Sequence, residues 1–155
     1  MDFDGTTDYI QMPGFSKHMT NSNLPLAGWV KPPNNPGHSG YFGIRGSGTD
    51  QFYVLQLSGT NTLECRFIGG SGTHDASPAP TITPNVWNHI AFTFNGTDIA
   101  CYVDGRLEGD KAVSGSLTDE TITFSIGSTL EFNFATDGLI DEVSVWNRSL
   151  SAKEI

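Results

Sequence analysis

Between Val86 and Gly105 the chain alternates apolar and polar residues with a period of two on either side of Asn95-Gly96. Ile90, Phe92 and Phe94 fall on one face of the first predicted strand, and Ile99, Cys101 and Val103 on one face of the second. Successive side chains of a strand point to opposite faces, so this pattern marks a half-buried ribbon. Asn-Gly between two such runs is the strongest short hairpin signal. A two-residue turn there predicts Phe92 opposite Ile99 and Ile90 opposite Cys101, with both apolar sets on one side. A one-residue slip would expose one set, which fixes the parity of the register. His89, Ala91, Thr93, Asp98, Ala100 and Tyr102 take the other side. The apolar side needs a second layer to cover it.

Short runs of the same kind recur along the chain. MDF and YIQM flank a tight turn at Asp4-Gly5. Leu24 to Pro32 alternates and ends at a Pro-Pro-Asn-Asn-Pro-Gly break that no strand interior crosses. Tyr41 to Arg45, Phe52 to Leu57 and Leu63 to Ile68 predict strands separated by Gly-rich turns, while residues 13–23 and 69–85 read as loops. Arg106 to Val113, Thr121 to Gly127 and Gly138 to Trp146 complete the set. About ten short strands without a longer repeat predict one all-β domain over residues 1–155, a two-sheet antiparallel β-sandwich. Ser151-Ala-Lys-Glu154 has the form of a capping box, which predicts either a single terminal turn or a domain of a longer protein.

Composition narrows the function classes. With 155 residues and 37% hydrophobic content, the chain can bury roughly 70% of its unfolded surface. The net charge is −9 and the eight Lys and Arg are scattered singly, so the basic patch that nucleic acid requires is missing from the sequence. Anionic membranes are disfavoured for the same reason, and no run is long enough to span a bilayer. An acidic, Gly-rich surface suits neutral ligands and cations. Met1 leads straight into strand-like residues without a charged and apolar leader. Cys65 and Cys101 both lie on the apolar parity of their strands and read as two small buried side chains; a disulfide between them is the alternative that spacing leaves open.

FDGTTDYI, AGWVKP, VWNHIAFTFNG, CYVDGRL and GLIDEVSVWNRSLSAKEI together resemble the laminin-G-like, or concanavalin A-like, jelly-roll domains, and more distantly the pentraxins. The resemblance runs from Phe3 to Ile155 with the motifs in family order. It implies two antiparallel sheets, one concave and one convex, and often a calcium ion that locks strands together. Lectins, carbohydrate-binding modules, adhesion domains and viral surface proteins all use this fold, so function has to come from the site.

Site residues follow from both lines of reading. Asp4 and Asp141, in the first turn and last strand, are the expected ligands of a structural calcium, with an Asx turn as the alternative role of Asp4. Asp50 and Glu131 fall near the positions of the pentraxin ligand-binding residues, although Glu131 is followed by Phe-Asn-Phe rather than by a cluster of acids and amides. Sugar binding needs exposed aromatic faces beside fixed polar groups. Tyr41, Phe42 and Phe132 (with Phe134) are the loop aromatics expected to supply them, with plugging of an edge or a neighbouring subunit as the alternative for Phe132 and Phe134. Tyr102 with His89 is placed to line the concave face, with cross-strand packing as the alternative role of Tyr102. Trp29 and Trp87 read as core, and Trp146 fits either role. Hydrolases of this fold carry acids on alternate strand positions. Strand alternation instead places Asp141 and Glu142 on opposite faces, and no Ser-His-Asp, Cys-His or zinc spacing occurs.

These readings converge on a non-catalytic binding or adhesion domain at a cell or virion surface, or otherwise extracellular, with a glycan or glycoprotein as its partner. A structural role on a virion, among neighbouring subunits, is the alternative, and a relative of glycoside hydrolases the outsider.

Overall fold

Two six-stranded sheets face each other in the computed structural model, which describes all of the chain except residues 20–22, 35, 46–49, 71, 119–120, 130–133 and 149. The strands of the first half are β1 (Asp2–Asp4), β2 (Ile10–Met12), β3 (Leu24–Lys31), β4 (Ser39–Ile44), β5 (Gln51–Gln56) and β6 (Leu63–Gly69). Those of the second half are β7 (Gly72–Asp75), β8 (Asn88–Phe94), β9 (Asp98–Val103), β10 (Arg106–Ala112), β11 (Phe124–Ile126) and β12 (Asp137–Val145). A 3-10 turn spans Phe15–His18. The first sheet runs β1-β12-β3-β8-β9-β10 and the second β2-β11-β4-β5-β6-β7, with neighbours antiparallel throughout. This is the two-layer sandwich that the alternation predicts.

The β8–β9 hairpin keeps the predicted parity but shifts its register. Phe94 faces Ile99, Phe92 faces Cys101 and Ile90 faces Val103. The cause is the Asn95 side chain, whose Oδ1 accepts from the backbone N–H of Thr97 at 2.9 Å and of Asp98 at 2.8 Å. That Asx turn moves the bend to Gly96-Thr97, with Gly96 supplying the positive φ of 97°. A shift of two residues leaves each side chain on its own face, so the core is unchanged. A second difference is β7, which occupies part of the segment read as a loop. Its Gly-Thr-His-Asp carries no apolar alternation, because it is an edge strand with little to bury.

The two sheets meet on a ladder of aromatic rings. Phe52 of the second sheet stacks on Phe92 of the first at 4.3 Å between centroids, and Phe67 on Phe94 at 4.5 Å. Cys65 on β6 and Cys101 on β9 are joined as a disulfide, with Cα atoms 6.4 Å apart. Of the two readings of these cysteines, the covalent one holds, and both are also buried.

The outer faces of the two sheets differ. Residues 127–129 and 134–136 lie against the second sheet: the Gly40 N–H donates to Phe134 O at 2.9 Å, and Thr136 Oγ1 donates to Gly40 O at 3.0 Å. Arg45 lies over the rings of both Tyr53 and Phe134, at 4.8 and 5.1 Å. Every residue of β4 and β5 is consequently buried. On the outer face of the first sheet the C-terminal residues Leu150, Glu154 and Ile155 lie over Ala27 and Ala91, while Trp29 beside them is left exposed.

Candidate functional site

Strand alternation directs Pro25, Ala27 and Trp29 to the outer side of β3, and His89, Ala91 and Thr93 to that of β8. Cross-strand pairing then sets Trp29 between Asp141 on β12 and His89 on β8, and Ala27 between Ser144 and Ala91. Ala91 in turn faces Tyr102. Small side chains therefore floor a trough whose walls are aromatic. A cavity of about 480 Å³ lies over Ala27 and Ala91, bounded by Trp29, Trp146 and Glu142 and closed by Leu150, Glu154 and Ile155. A second, of about 430 Å³, lies between Trp29, Trp87, Asp141 and Glu142. Both volumes suit a small ligand.

The indoles stand in water. Trp29 is 36% exposed and Trp87 41%, which corrects their assignment to the core. Trp29 shares its side of β3 with Pro25, Ala27 and Lys31, so its parity already set it opposite Leu24, Leu26 and Val30. Its ring packs against His89 at 5.2 Å. Trp87 is held by a residue that sequence reasoning missed, the buried Asn88. The Asn88 Oδ1 accepts from the Thr83 N–H at 2.8 Å, while Nδ2 donates to the carbonyls of Thr83 and Val86, both at 2.9 Å. The amide thus pins the loop that presents Trp87 to the start of β8. Trp146, half-buried, is anchored by its backbone N–H, which donates to Pro25 O at 3.1 Å.

The carboxylates depart from expectation most. Asp141 pairs with Trp29 and Ser144 with Ala27, so β12 carries one extra residue, a β-bulge. Glu142 sits in it with φ 50°, a left-handed conformation that costs a side chain such as Glu about 1–2 kcal/mol. Alternation is broken there, and Asp141 and Glu142 line the same hollow rather than opposite faces. Asp104, also at positive φ, accepts the His89 N–H at 2.9 Å and adds a third carboxylate beside Trp29. Burial pushes the His89 imidazole below its ordinary value, against the opposing pull of Asp104 and Glu142. At the far end, Arg148 donates to Glu154 at 2.8 Å and holds its carboxyl down at about 2.

The other residues that the sequence put forward lie elsewhere. Tyr41 is fully buried, its hydroxyl donating to Gln56 Oε1, and Phe42 is a core ring. Neither presents a face to solvent, because β4 is covered on both sides. Asp50 is also buried, accepting from the Thr118 N–H and, at 3.0 Å, from its hydroxyl. Glu131 and Phe132 lie outside the described residues, and Phe134 packs on His38 at 4.6 Å. Tyr102 is half-buried and pairs with Ala91 across β8 and β9.

Asp4 and Asp141 do not converge on one ion. Strand β1 does pair with β12, but Asp4 faces Asp137, four positions or roughly 13 Å along the strand from Asp141. Asp4 Oδ1 instead accepts from the N–H groups of Thr6 and Thr7, both at 2.8 Å, and of Asp8 at 3.2 Å. These bonds hold its carboxyl well below the usual range, the Thr7 N–H foremost. The Asx-turn reading of Asp4 is the one its geometry matches. Calcium takes six to eight oxygens, and among the described residues no group of three or more acidic, His or Cys side chains is placed to hold a metal.

Comparison with known proteins places the fold. The sequence model of the Laminin_G_3 family, described as the Concanavalin A-like lectin/glucanases superfamily, matches residues 4–155. No curated protein sequence matches the chain. Among solved structures, domain 4 of the extracellular arabinanase AbnA from Geobacillus stearothermophilus, in complex with arabinotriose, superposes with a TM-score of 0.81 at 18% identity, over 99% of this chain and 72% of that one. The CBM40 domain of a Ruminococcus gnavus sialidase, bound to α2,3-sialyllactose, gives 0.77 at 13% identity, over 99% and 92%. The mouse laminin α1 domains LG4-5 give 0.72 at 12% identity, over 96% of this chain and 43% of that one.

Proposed function

We propose that this chain, which belongs to the Concanavalin A-like lectin/glucanases superfamily, is a non-catalytic carbohydrate-binding domain that holds a glycan against the outer face of its first sheet. The observation that carries this reading is the gathering of Trp29, Trp87 and Trp146 around the Asp141–Glu142 bulge, over a floor of alanines. A sugar ring offers an apolar C–H face and a rim of hydroxyls. Indoles accept the first, and carboxylates accept hydrogen bonds from the second. The sugar complexes of the arabinanase domain and of the CBM40 domain support the same class of ligand.

Binding without hydrolysis fits the placement of the acids. A glycosidase needs two carboxyl groups flanking the scissile bond. Asp141 and Glu142 are neighbours on one bulge and approach a ligand from one side, while Asp104, across Trp29, is tied to the His89 backbone N–H at 2.9 Å. The disulfide between the sheets is a bond that oxidising compartments sustain, which supports an extracellular location. A glycan array with wild type, Trp29→Ala and Trp87→Ala tests the reading. Binding to a defined set of glycans, abolished by Trp29→Ala, is expected. No glycan bound, binding indifferent to both substitutions, or release of reducing ends from a bound polysaccharide would each refute it.

A further inference from the structure

We infer that the trough selects uncharged sugars and rejects those bearing a carboxylate, such as sialic and uronic acids. This rests on the carbohydrate-binding reading and adds the ligand class to it. Asp141 and Glu142 stand on one side of Trp29 and Asp104 on the other; Glu154, at the far end, is paired with Arg148. Among the described residues, no Lys or Arg lines the two cavities or the hollow between Trp29, His89 and Asp104. Lys153, within the closing turn, is exposed and outside the lining, and Arg148 just before the turn is engaged by Glu154 at 2.8 Å. Lys31 lies one outward position beyond Trp29, beside Leu139. Arg106, two positions beyond Asp104, is exposed, and burial pushes the His89 imidazole below its ordinary value.

An anionic sugar seated on Trp29 would therefore bring its carboxylate among fixed negative charges, with no cation among the described lining residues to receive it. Like charges brought together at a recognition site are the usual device for refusing a wrong partner. Hydroxyls meet the opposite situation. Vicinal O–H groups donate to a carboxylate in charge-assisted bonds, and the bulge aims two carboxylates at the hollow beside the indoles. The strained backbone at Glu142 points the same way, since strain of this kind clusters where a side chain has to be held for function. The net charge of −9 extends the same bias beyond the site.

The test measures affinities for matched oligosaccharide pairs: lactose with sialyllactose, galacto- with galacturono-oligosaccharides, and xylo- with glucuronoxylo-oligosaccharides. Within any pair that binds, the neutral member is expected to bind at least about tenfold tighter at low salt, and the ratio to shrink as salt screens the site. The double variant Asp141→Asn/Glu142→Gln, checked for an unchanged melting temperature, is expected to bring the two members within about threefold. Acidic members binding as well as neutral ones in the wild type, with both lost in Trp29→Ala, would overturn the selectivity and leave carbohydrate binding standing. A ratio unmoved by the double variant would also overturn it. Failure of every pair to bind would remove the carbohydrate reading itself.

Discussion

Cutting the link between Cys65 and Cys101 measures how far the sandwich depends on a covalent tie between its layers. The bond joins β6 of one sheet to β9 of the other across 36 residues of sequence. Closing a loop of that length removes unfolded-state entropy worth about 3.8 kcal/mol at room temperature on the chain-entropy account. A domain of this size is stable by about 5–15 kcal/mol, so the loss would take a quarter or more of the total. Unfolding temperature should fall by about 8–15 °C, at about 2–4 °C per kcal/mol for a chain of this length. The assay is guanidinium unfolding followed by far-ultraviolet circular dichroism, on oxidised wild type, reduced wild type and Cys65→Ala/Cys101→Ala. The two open forms should unfold at similar midpoints, both well below the oxidised protein, with a steeper denaturant dependence because their unfolded chains expand further. A double variant within about 1 kcal/mol of the oxidised wild type would refute the reasoning, since the tie would then constrain nothing that packing does not.

Three further outcomes are expected. Phe92→Ala deletes a fully buried ring stacked on Phe52 and should cost about 3–5 kcal/mol, read by chemical denaturation. Asn88→Ala strips the amide that bonds Thr83 and Val86; about 1–3 kcal/mol of stability should go with it, and calorimetry should find glycan affinity reduced because Trp87 loses its mount. His89 is held below its ordinary 6.5 by burial, so the unfolded chain takes the proton more readily than the native one. Stability should accordingly fall as pH drops below 6.5 and level off beneath the folded-state value, and His89→Gln should flatten that slope in urea midpoints taken across the range.

The layers of this fold were legible because burial on one face imposes a period of two, and that period survives local error. The hairpin shows it: the Asn95 side chain moved the bend by one residue, and the core side chains kept their face. The site was less legible for two physical reasons. Exposure of Tyr41 and Phe42 depends on what lies over β4, and the residues that cover it, among them Phe134 and Thr136, are more than eighty positions away in sequence. The shared side of Asp141 and Glu142 depends on a bulge, which a rule of strict alternation forbids by construction. Trp29 was readable. It sits out of phase with Leu24, Leu26 and Val30, and its size suggested core where its parity said surface.

The bulge in β12 also makes the acid beside the indoles separable from the scaffold. Take Glu142 out and the strand heals: Ile140, Val143 and Val145 would still turn inward, and Asp141, Ser144 and Trp146 would still turn out. The sheet has no use for the extra residue. A single codon gained or lost at this point would switch the second acid on or off without asking any other position to change, so chemistry at this face can vary while the architecture beneath it stays still.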